Sequence, residues 1–127
     1  MLKGVERRKY PRAYFTVKDG ITGLFELPGP EKFTMSTNIL SLSEGGISFI
    51  GQKEAMENVK TEDAILLVRV FEPAKLHFLN NVFIHVCHTI NEPDMEHVLC
   101  GCRFANLSEE QKKELGTFVK DRLGSLK

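Results

Sequence analysis

Two short stretches decide the fold of this chain: RRKYPR at residues 7–12 and SLSEGG at residues 41–46. The first contains an arginine pair, Arg8 and Arg12, and the intervening Pro11 disfavours a helix because proline fixes its own φ and restricts the preceding residue. In an extended chain the two arginines share a face, with Cα atoms roughly 13 Å apart. Planar guanidinium groups at that spacing can bracket one flat, anionic ligand.

The second stretch follows a β-rich segment at residues 33–42. The alternation of apolar side chains along this segment shifts between Ile39 and Leu40, which predicts a β-bulge that re-aims Ser41 and Ser43. The Gly-Gly pair that follows permits a sharp reversal into the next strand. The stretch is therefore predicted to be a strand end with the turn that follows it.

The rest of the chain is also predicted to form short strands, followed by one helix. Strands are expected at residues 13–17, 21–27, 47–50, 64–71, 82–90 and 97–104, where apolar and β-branched residues alternate or cluster. No alternation of strands with helices separates them, so the sheet is predicted to be antiparallel. A helix is predicted after Ser108, because Ser108 and Gln111 form a capping-box pattern and apolar residues then recur at helical spacing. Six or seven strands and a terminal helix indicate a closed or nearly closed barrel.

The order of these motifs resembles that of the PilZ domain family, a bacterial receptor module for the second messenger cyclic di-GMP. The family pattern is Arg-x-x-x-Arg before the first strand, Asp/Asn-x-Ser-x-x-Gly at a strand end, and a Gly-x-Arg-Phe-like strand before a C-terminal helix. The corresponding stretches here are residues 8–12, 41–46 and 101–104, and the resemblance covers nearly the whole chain. It implies a mainly β fold, a six- to seven-stranded antiparallel PilZ-type barrel with a C-terminal helix.

The resemblance also implies a pocket for cyclic di-GMP. In that pocket Arg8 and Arg12 would contact guanine edges and phosphates, as the planar fork of arginine allows. Ser43 would add a hydroxyl group, and Gly46 would let the ligand approach the backbone closely. The ordinary alternative is that the arginines form a solvated tail and that the serines and glycines form a plain hairpin.

Two further positions bear on ligand binding. Ser41 stands where the family pattern has Asp or Asn, and a serine hydroxyl is shorter and uncharged, so it is expected to weaken base reading without abolishing binding. Arg7 precedes the motif at a position that, in the family, influences whether one nucleotide or a stacked pair binds. Arg7 favours a pair here, and a solvated arginine is the alternative.

Two functions remain open at this point. The first is a cyclic di-GMP receptor that relays the second-messenger level to a partner protein, an unidentified bacterial effector. The second is a degenerate PilZ domain that binds no nucleotide and acts as a protein interaction adaptor in motility or pilus machinery. Neither function requires a cofactor or a catalytic site, and either suits a monomer or a weak dimer.

Composition and charge fit one small domain with a local basic segment. The chain has 127 residues, 42% of them hydrophobic, and a formal net charge of zero. Residues 1–12 carry five basic side chains against one acidic side chain, which suits a discrete anion better than a nucleic-acid polymer. We expect residues 1–12 to be a flexible N-terminal arginine-motif segment and residues 13–127 to form the barrel domain with its helix. Without an apolar run of membrane-spanning length or a signal-like N-terminus, the protein is predicted to be cytoplasmic.

A zinc site would require four side chains of the last two predicted strands to share a face: His85, Cys87, Cys100 and Cys102. A hairpin centred between residues 93 and 94 would pair Cys87 with Cys100 and the histidine with Cys102. The favoured interpretation is different, because Cys-x-Cys alternation is also typical of small buried side chains. The other histidines show no spacing typical of a catalytic triad, so the protein is not predicted to be an enzyme and no metal is assigned.

Overall fold

The computed structural model describes residues 10–29 and 33–125. In these ranges the chain forms β1 (Ala13–Tyr14), β2 (Thr22–Leu27), β3 (Phe33–Leu42), β4 (Gly46–Gln52), α1 (Lys53–Met56), β5 (Ala64–Glu72), β6 (Val82–Ile90), β7 (His97–Phe104) and α2 (Glu109–Ser125). Two 3₁₀ turns, Val17–Asp19 and Ala74–Leu79, lie between strands. The predictions made for Arg7 and Arg8, and for the order of residues 1–9, fall outside the described residues.

Six strands close into an antiparallel barrel. Their order is β3, β2, β5, β6, β7 and β4, and a further pairing between β3 and β4 closes the ring. The short strand β1 pairs with β3 outside that ring. The predicted architecture, a mainly β barrel of six to seven antiparallel strands with a C-terminal helix, is confirmed.

The barrel interior is a single apolar core. Phe25 of β2 stacks on Phe49 of β4 with ring centroids 4.1 Å apart, and both side chains are fully buried. A fully buried side chain of this size stabilises a fold by about 1.5–3 kcal/mol. The predicted irregularity in β3 is also present, because its register with β4 shifts between Ile39 and Ser41. This shift sets which way the last residues of β3 point.

The first strand is shorter than predicted. It ends at Tyr14, because the carboxylate of Asp19 accepts hydrogen bonds from the backbone N–H and the hydroxyl group of Thr16, at 2.7 and 3.3 Å. This side-chain bond replaces ladder bonding and starts a 3₁₀ turn, which Gly20 ends with φ of 68°. The predicted strand through residue 17 is therefore wrong beyond Tyr14.

The helix α2 begins as the sequence predicts. Ser108 Oγ accepts a hydrogen bond from the backbone N–H of Gln111 at 3.0 Å, and the Gln111 side chain accepts one from the backbone N–H of Ser108 at 2.9 Å. Leu115 and Val119 then enter the core. No helix in the described ranges combines the length and the apolar character needed to cross a membrane.

The helix also packs on the chain that follows β1. The ring of Phe118 lies 6.3 Å from that of Phe15, and the Arg122 guanidinium lies 5.3 Å from the centre of the same Phe15 ring. Arg122 also pairs with Asp19 at 2.9 Å. Backbone hydrogen bonding from Thr16, together with the bond from Arg122, lowers the pKa of Asp19.

We expect this lowered pKa to make the fold weaken in acid. The folded pKa of Asp19 lies below the ordinary value of about 3.9, so the unfolded chain takes up the proton first as the pH falls. Stability that is present above that ordinary value is then lost as the pH falls through the folded value. Thermal unfolding at about pH 6 and about pH 3 checks this. Asp19→Asn should show a smaller drop in melting temperature than wild type or the exposed control Asp94→Asn, and equal drops would contradict the prediction.

Candidate functional site

One row of paired residues crosses five neighbouring strands on the outer face of the barrel. In order, the row contains Tyr14, Ser41, Ser48, Gly101 and His88. The adjacent row, which includes Ala13, Leu42 and Ile47, points into the core, and side chains alternate between faces along a strand. The outward row therefore has small residues at its centre and a ring at each end.

This row forms the floor of a shallow trough of about 380 Å³, which Arg12, Gly46 and Arg103 also line. That volume lies within the usual range for small-ligand sites. None of the described residues lining the trough is acidic, whereas two of them are arginines. The trough, defined by these eight residues, therefore suits an anionic ligand with flat rings.

Arg12 is held at the trough by two serines. Its Nη1 donates a hydrogen bond to Ser41 Oγ at 2.8 Å and its Nη2 donates one to Ser43 Oγ at 3.3 Å. Ser41 is buried, and its hydroxyl group is also hydrogen-bonded to that of Ser48. These bonds fix the orientation of the Arg12 guanidinium relative to the floor.

The turn after β3 brings Gly46 beside Arg12. The Ser43 hydroxyl accepts hydrogen bonds from the backbone N–H groups of Gly45 and Gly46, at 3.2 and 3.1 Å, and so holds the turn together. A Cβ atom at position 46 would collide with the backbone carbonyl of Cys102 and lie 3.3 Å from Arg12 Nη2. Only glycine fits this position without displacing the neighbouring strand.

The far side of the trough contains Arg103 and His88. Arg103 pairs with Gly46 in the ladder and donates hydrogen bonds to both carboxylate oxygens of Glu62, at 2.8 and 3.4 Å. This bonding lowers the pKa of Glu62. The imidazole ring of His88 lies over Gly101, where an added Cβ atom would collide with it.

The structure brings together the predicted site residues that it describes. Arg12, Ser41 and Gly46 line the trough, whereas Ser43 lies beside them and bonds to Arg12 and to the turn. Arg8 and Arg7 are outside the described residues. Sequence reasoning assigned no part in ligand binding to the other five residues of the trough: Tyr14, Ser48, His88, Gly101 and Arg103. Ser48 could have been found from its even spacing to Gly46 on one strand, which places both on the same face.

The register of β6 and β7 that a zinc site would require does not occur in the structure. Cys100 pairs with Thr89 and not with Cys87, and beyond the irregularity between Val86 and His88 the partner of Cys102 is Val86 and not His85. The two cysteines of β7 are buried, with Sγ atoms 3.7 Å apart, whereas Cys87 is exposed. Hydrogen bonding to Cys100 and burial raise the pKa of the Cys102 thiol. In residues 10–29 and 33–125, no group of three His, Cys, Asp or Glu side chains is arranged to hold a metal ion.

Comparison with known proteins gives a family match and several similar folds. The family model described as PilZ domain matches residues 6–121, whereas no curated protein matches the chain. The PilZ domain of YcgR from Escherichia coli, solved with cyclic di-GMP, aligns with a TM-score of 0.65 at 14% identity over 94% of each chain.

Two longer structures align as well. The Bacillus subtilis inhibitor of motility MotI (DgrA) aligns with a TM-score of 0.66 at 15% identity, over 95% of this chain and 53% of that one. The MrkH–cyclic di-GMP complex from K. pneumonia aligns with a TM-score of 0.65 at 12% identity, over 94% and 54%. This chain thus spans about half the length of MotI and of MrkH, and at these identities the likeness establishes the fold.

Proposed function

Because this chain belongs to the PilZ domain family, we propose that it is a cyclic di-GMP receptor domain that relays the level of this nucleotide to a partner protein. The observation that carries the proposal is the trough, in which Arg12 is held by Ser41 and Ser43 beside Gly46. The similar structures of YcgR and MrkH contain cyclic di-GMP, which supports the same ligand class here.

The chemistry of the trough suits the parts of this nucleotide. Cyclic di-GMP has two guanines and two phosphates, and the Arg12 fork can donate paired hydrogen bonds to a guanine edge or to a phosphate. Tyr14 and His88 offer exposed rings at the ends of the floor, on which purine bases can stack. Gly46 keeps the backbone accessible between them. Arg8 is proposed as the second arginine of the motif, and Arg7 as the position that favours a nucleotide pair.

The proposal is for a binding module and not for an enzyme. We propose that it acts in the cytoplasm, as a monomer or weak dimer, and that its output passes to a bacterial effector protein. The chain is proposed to use residues 1–12 as the arginine segment and residues 13–127 as the barrel domain. The proposed ligand is a single anionic nucleotide species, so no cofactor, nucleic-acid polymer or membrane is required.

Isothermal titration calorimetry of the purified domain with cyclic di-GMP tests this function directly. We expect saturable binding at a whole-number stoichiometry, with weaker binding of cyclic di-AMP, which has the same phosphates but lacks the guanine edge. GTP serves as a control for non-specific attraction of phosphates to the arginines. Absence of saturable binding of cyclic di-GMP by wild type would contradict the proposal.

A second candidate function, the adaptor that binds no nucleotide, is favoured by one observation. Ser41 places a neutral hydroxyl group at the position where the family pattern has Asp or Asn. Affinity capture of partners with and without cyclic di-GMP separates the two functions. The adaptor predicts the same captured proteins in both conditions, whereas the receptor predicts a difference.

Ser41→Asp is expected to tighten cyclic di-GMP binding by about fivefold or more. A carboxylate can accept two hydrogen bonds from the guanine N1–H and N2 amino group, which a hydroxyl group cannot match. Discrimination against cyclic di-AMP should rise as well. The opposing effect is that the new carboxylate could pair with Arg12, which lies 2.8 Å from the Ser41 hydroxyl, and hold the trough closed.

Titration of wild type and Ser41→Asp with both nucleotides distinguishes these effects. Ser36→Asp is the matched control, because Ser36 is exposed on the same strand and the substitution adds the same charge. Equal or weaker affinity of Ser41→Asp for cyclic di-GMP, with the control unchanged, would contradict the expected tightening.

A further inference from the structure

A second arginine faces the trough from the side opposite Arg12. Arg103 is the ladder partner of Gly46, and Arg12 Nη2 lies 3.3 Å from the place that a Cβ atom on that glycine would take. Both arginines line the same trough. The trough therefore has two arginines in its lining, and one anionic ligand can contact both of them.

Glu62 is held in place over Arg103 by its own backbone. The backbone N–H of Glu62 donates to the carbonyl of Val86 at 2.7 Å, and the N–H of Val86 donates to the carbonyl of Asp63 at 3.0 Å. Glu62 has φ of 73°, which is uncommon for a residue other than glycine. This turn is thus anchored where the register of β6 shifts, next to Cys87, and it places the Glu62 carboxylate against the Arg103 guanidinium.

The pairing resembles the way in which arginine binds a phosphate. Two nitrogens of Arg103 meet two oxygens of Glu62, which is the bidentate geometry that guanidinium groups also form with phosphates. Both side chains are substantially exposed, 48% for Arg103 and 64% for Glu62. An ion pair this exposed contributes little to stability, so an incoming anion can replace it at small cost.

We propose that Arg103 is a second arginine of the ligand site, that it contacts a phosphate of the nucleotide, and that Glu62 competes with this phosphate. The inference rests on the proposed function. Glu62 acts through Arg103 and is not itself a contact of the ligand. The pair therefore tunes the affinity of the site, because the phosphate that Arg103 contacts must displace the carboxylate from it.

Calorimetry with cyclic di-GMP at fixed salt tests both residues. Glu62→Gln keeps the size of the side chain but removes the competing charge, and should tighten binding by about two- to fivefold. Its matched control is Glu96→Gln, which removes a charge from an exposed side chain near the opposite end of β7. Arg103→Ala should weaken binding by about fivefold, and Arg103→Lys by less, because lysine keeps the charge without the fork. Arg69→Ala, on β5, is the control for losing an exposed arginine.

The double variant Glu62→Gln with Arg103→Ala separates competition from a general charge effect. In the absence of Arg103, the Glu62 substitution should no longer tighten binding, and a tightening that persists would overturn the proposal.

The proposal also fails if wild type binds and Arg12→Ala binds weakly, yet Glu62→Gln and both Arg103 variants titrate like wild type. If neither wild type nor Glu62→Gln binds cyclic di-GMP, the proposed function fails and this inference fails with it. Thermal unfolding confirms that each variant is folded, and Glu62→Gln tests the idea even if Arg103→Ala is unstable.

Discussion

Replacing Arg12 with alanine is expected to weaken cyclic di-GMP binding by about tenfold or more, because one bidentate contact to a base or phosphate contributes about 1–3 kcal/mol. The fold should change little. After the substitution the Ser41 hydroxyl still bonds to Ser48, and the Ser43 hydroxyl still accepts from the turn N–H groups, so neither buried serine is left without a partner.

Two further variants serve as comparisons for the Arg12→Ala result. Arg69→Ala removes an exposed arginine on β5 and should titrate like wild type. The double substitution of Arg8 and Arg12 should bind more weakly than either single variant if both arginines serve one site. If Arg12→Ala and the double variant both titrate like wild type, the trough is not the nucleotide site.

Gly46→Ala is expected to damage the fold and the site together. The added methyl group would meet the backbone carbonyl of Cys102 and press on Arg12, so β4 and β7 would have to separate. Overpacking of this kind typically costs about 1–3 kcal/mol of stability. Binding should fall by about tenfold or more as well, because the substitution narrows the trough and moves an arginine.

Gly124→Ala is the matched control for the glycine substitution. Gly124 lies in α2, and a Cβ atom there would meet no other atom within 4 Å. The helix should gain up to about 1 kcal/mol from the better propensity of alanine. Denaturant unfolding and calorimetry of both variants measure these effects. If Gly46→Ala has the stability and the affinity of wild type, β4 and β7 can move apart at little cost in free energy, and this prediction is wrong.

Much of the fold can be predicted from local patterns in the sequence. The bounds of β3, β6 and β7 match the sequence prediction, because alternating apolar residues end at clear turn residues in each case. The helix α2 begins after Ser108, as its capping pattern indicates. The predicted first strand is too long because the alternation of apolar residues continues to Val17. In the structure, the hydrogen bond from the Thr16 backbone N–H to the Asp19 carboxylate ends the strand earlier.

The site was only partly predictable for a different reason. The spacing of Ser41 and Gly46 within one motif places them near each other whatever the register of the barrel, and a family resemblance links them to Arg12. His88 and Arg103 come from other strands. The position of one relative to the other depends on an irregularity in β6 next to Cys87. No residue in that strand is of a type that predicts such an irregularity. Glu62 reaches Arg103 through a turn whose positive φ falls on a glutamate, where sequence patterns predict glycine.

The trough lies across the seam between β4 and β7. Strands β3 and β4 form one hairpin and β6 and β7 form another, whereas the pairing of β4 with β7 joins segments that are far apart in the chain. Contacts of large sequence separation carry the highest loop-closure entropy, so we expect this seam to form late in folding. Ser48 and Gly101 then become neighbours only in the finished barrel, and a partly folded chain has no complete binding surface. Nucleotide binding would therefore favour the closed barrel by mass action, by about 2.7 kcal/mol at a ligand concentration 100 times Kd. The concentration of the nucleotide would then also set the fraction of chains that are folded.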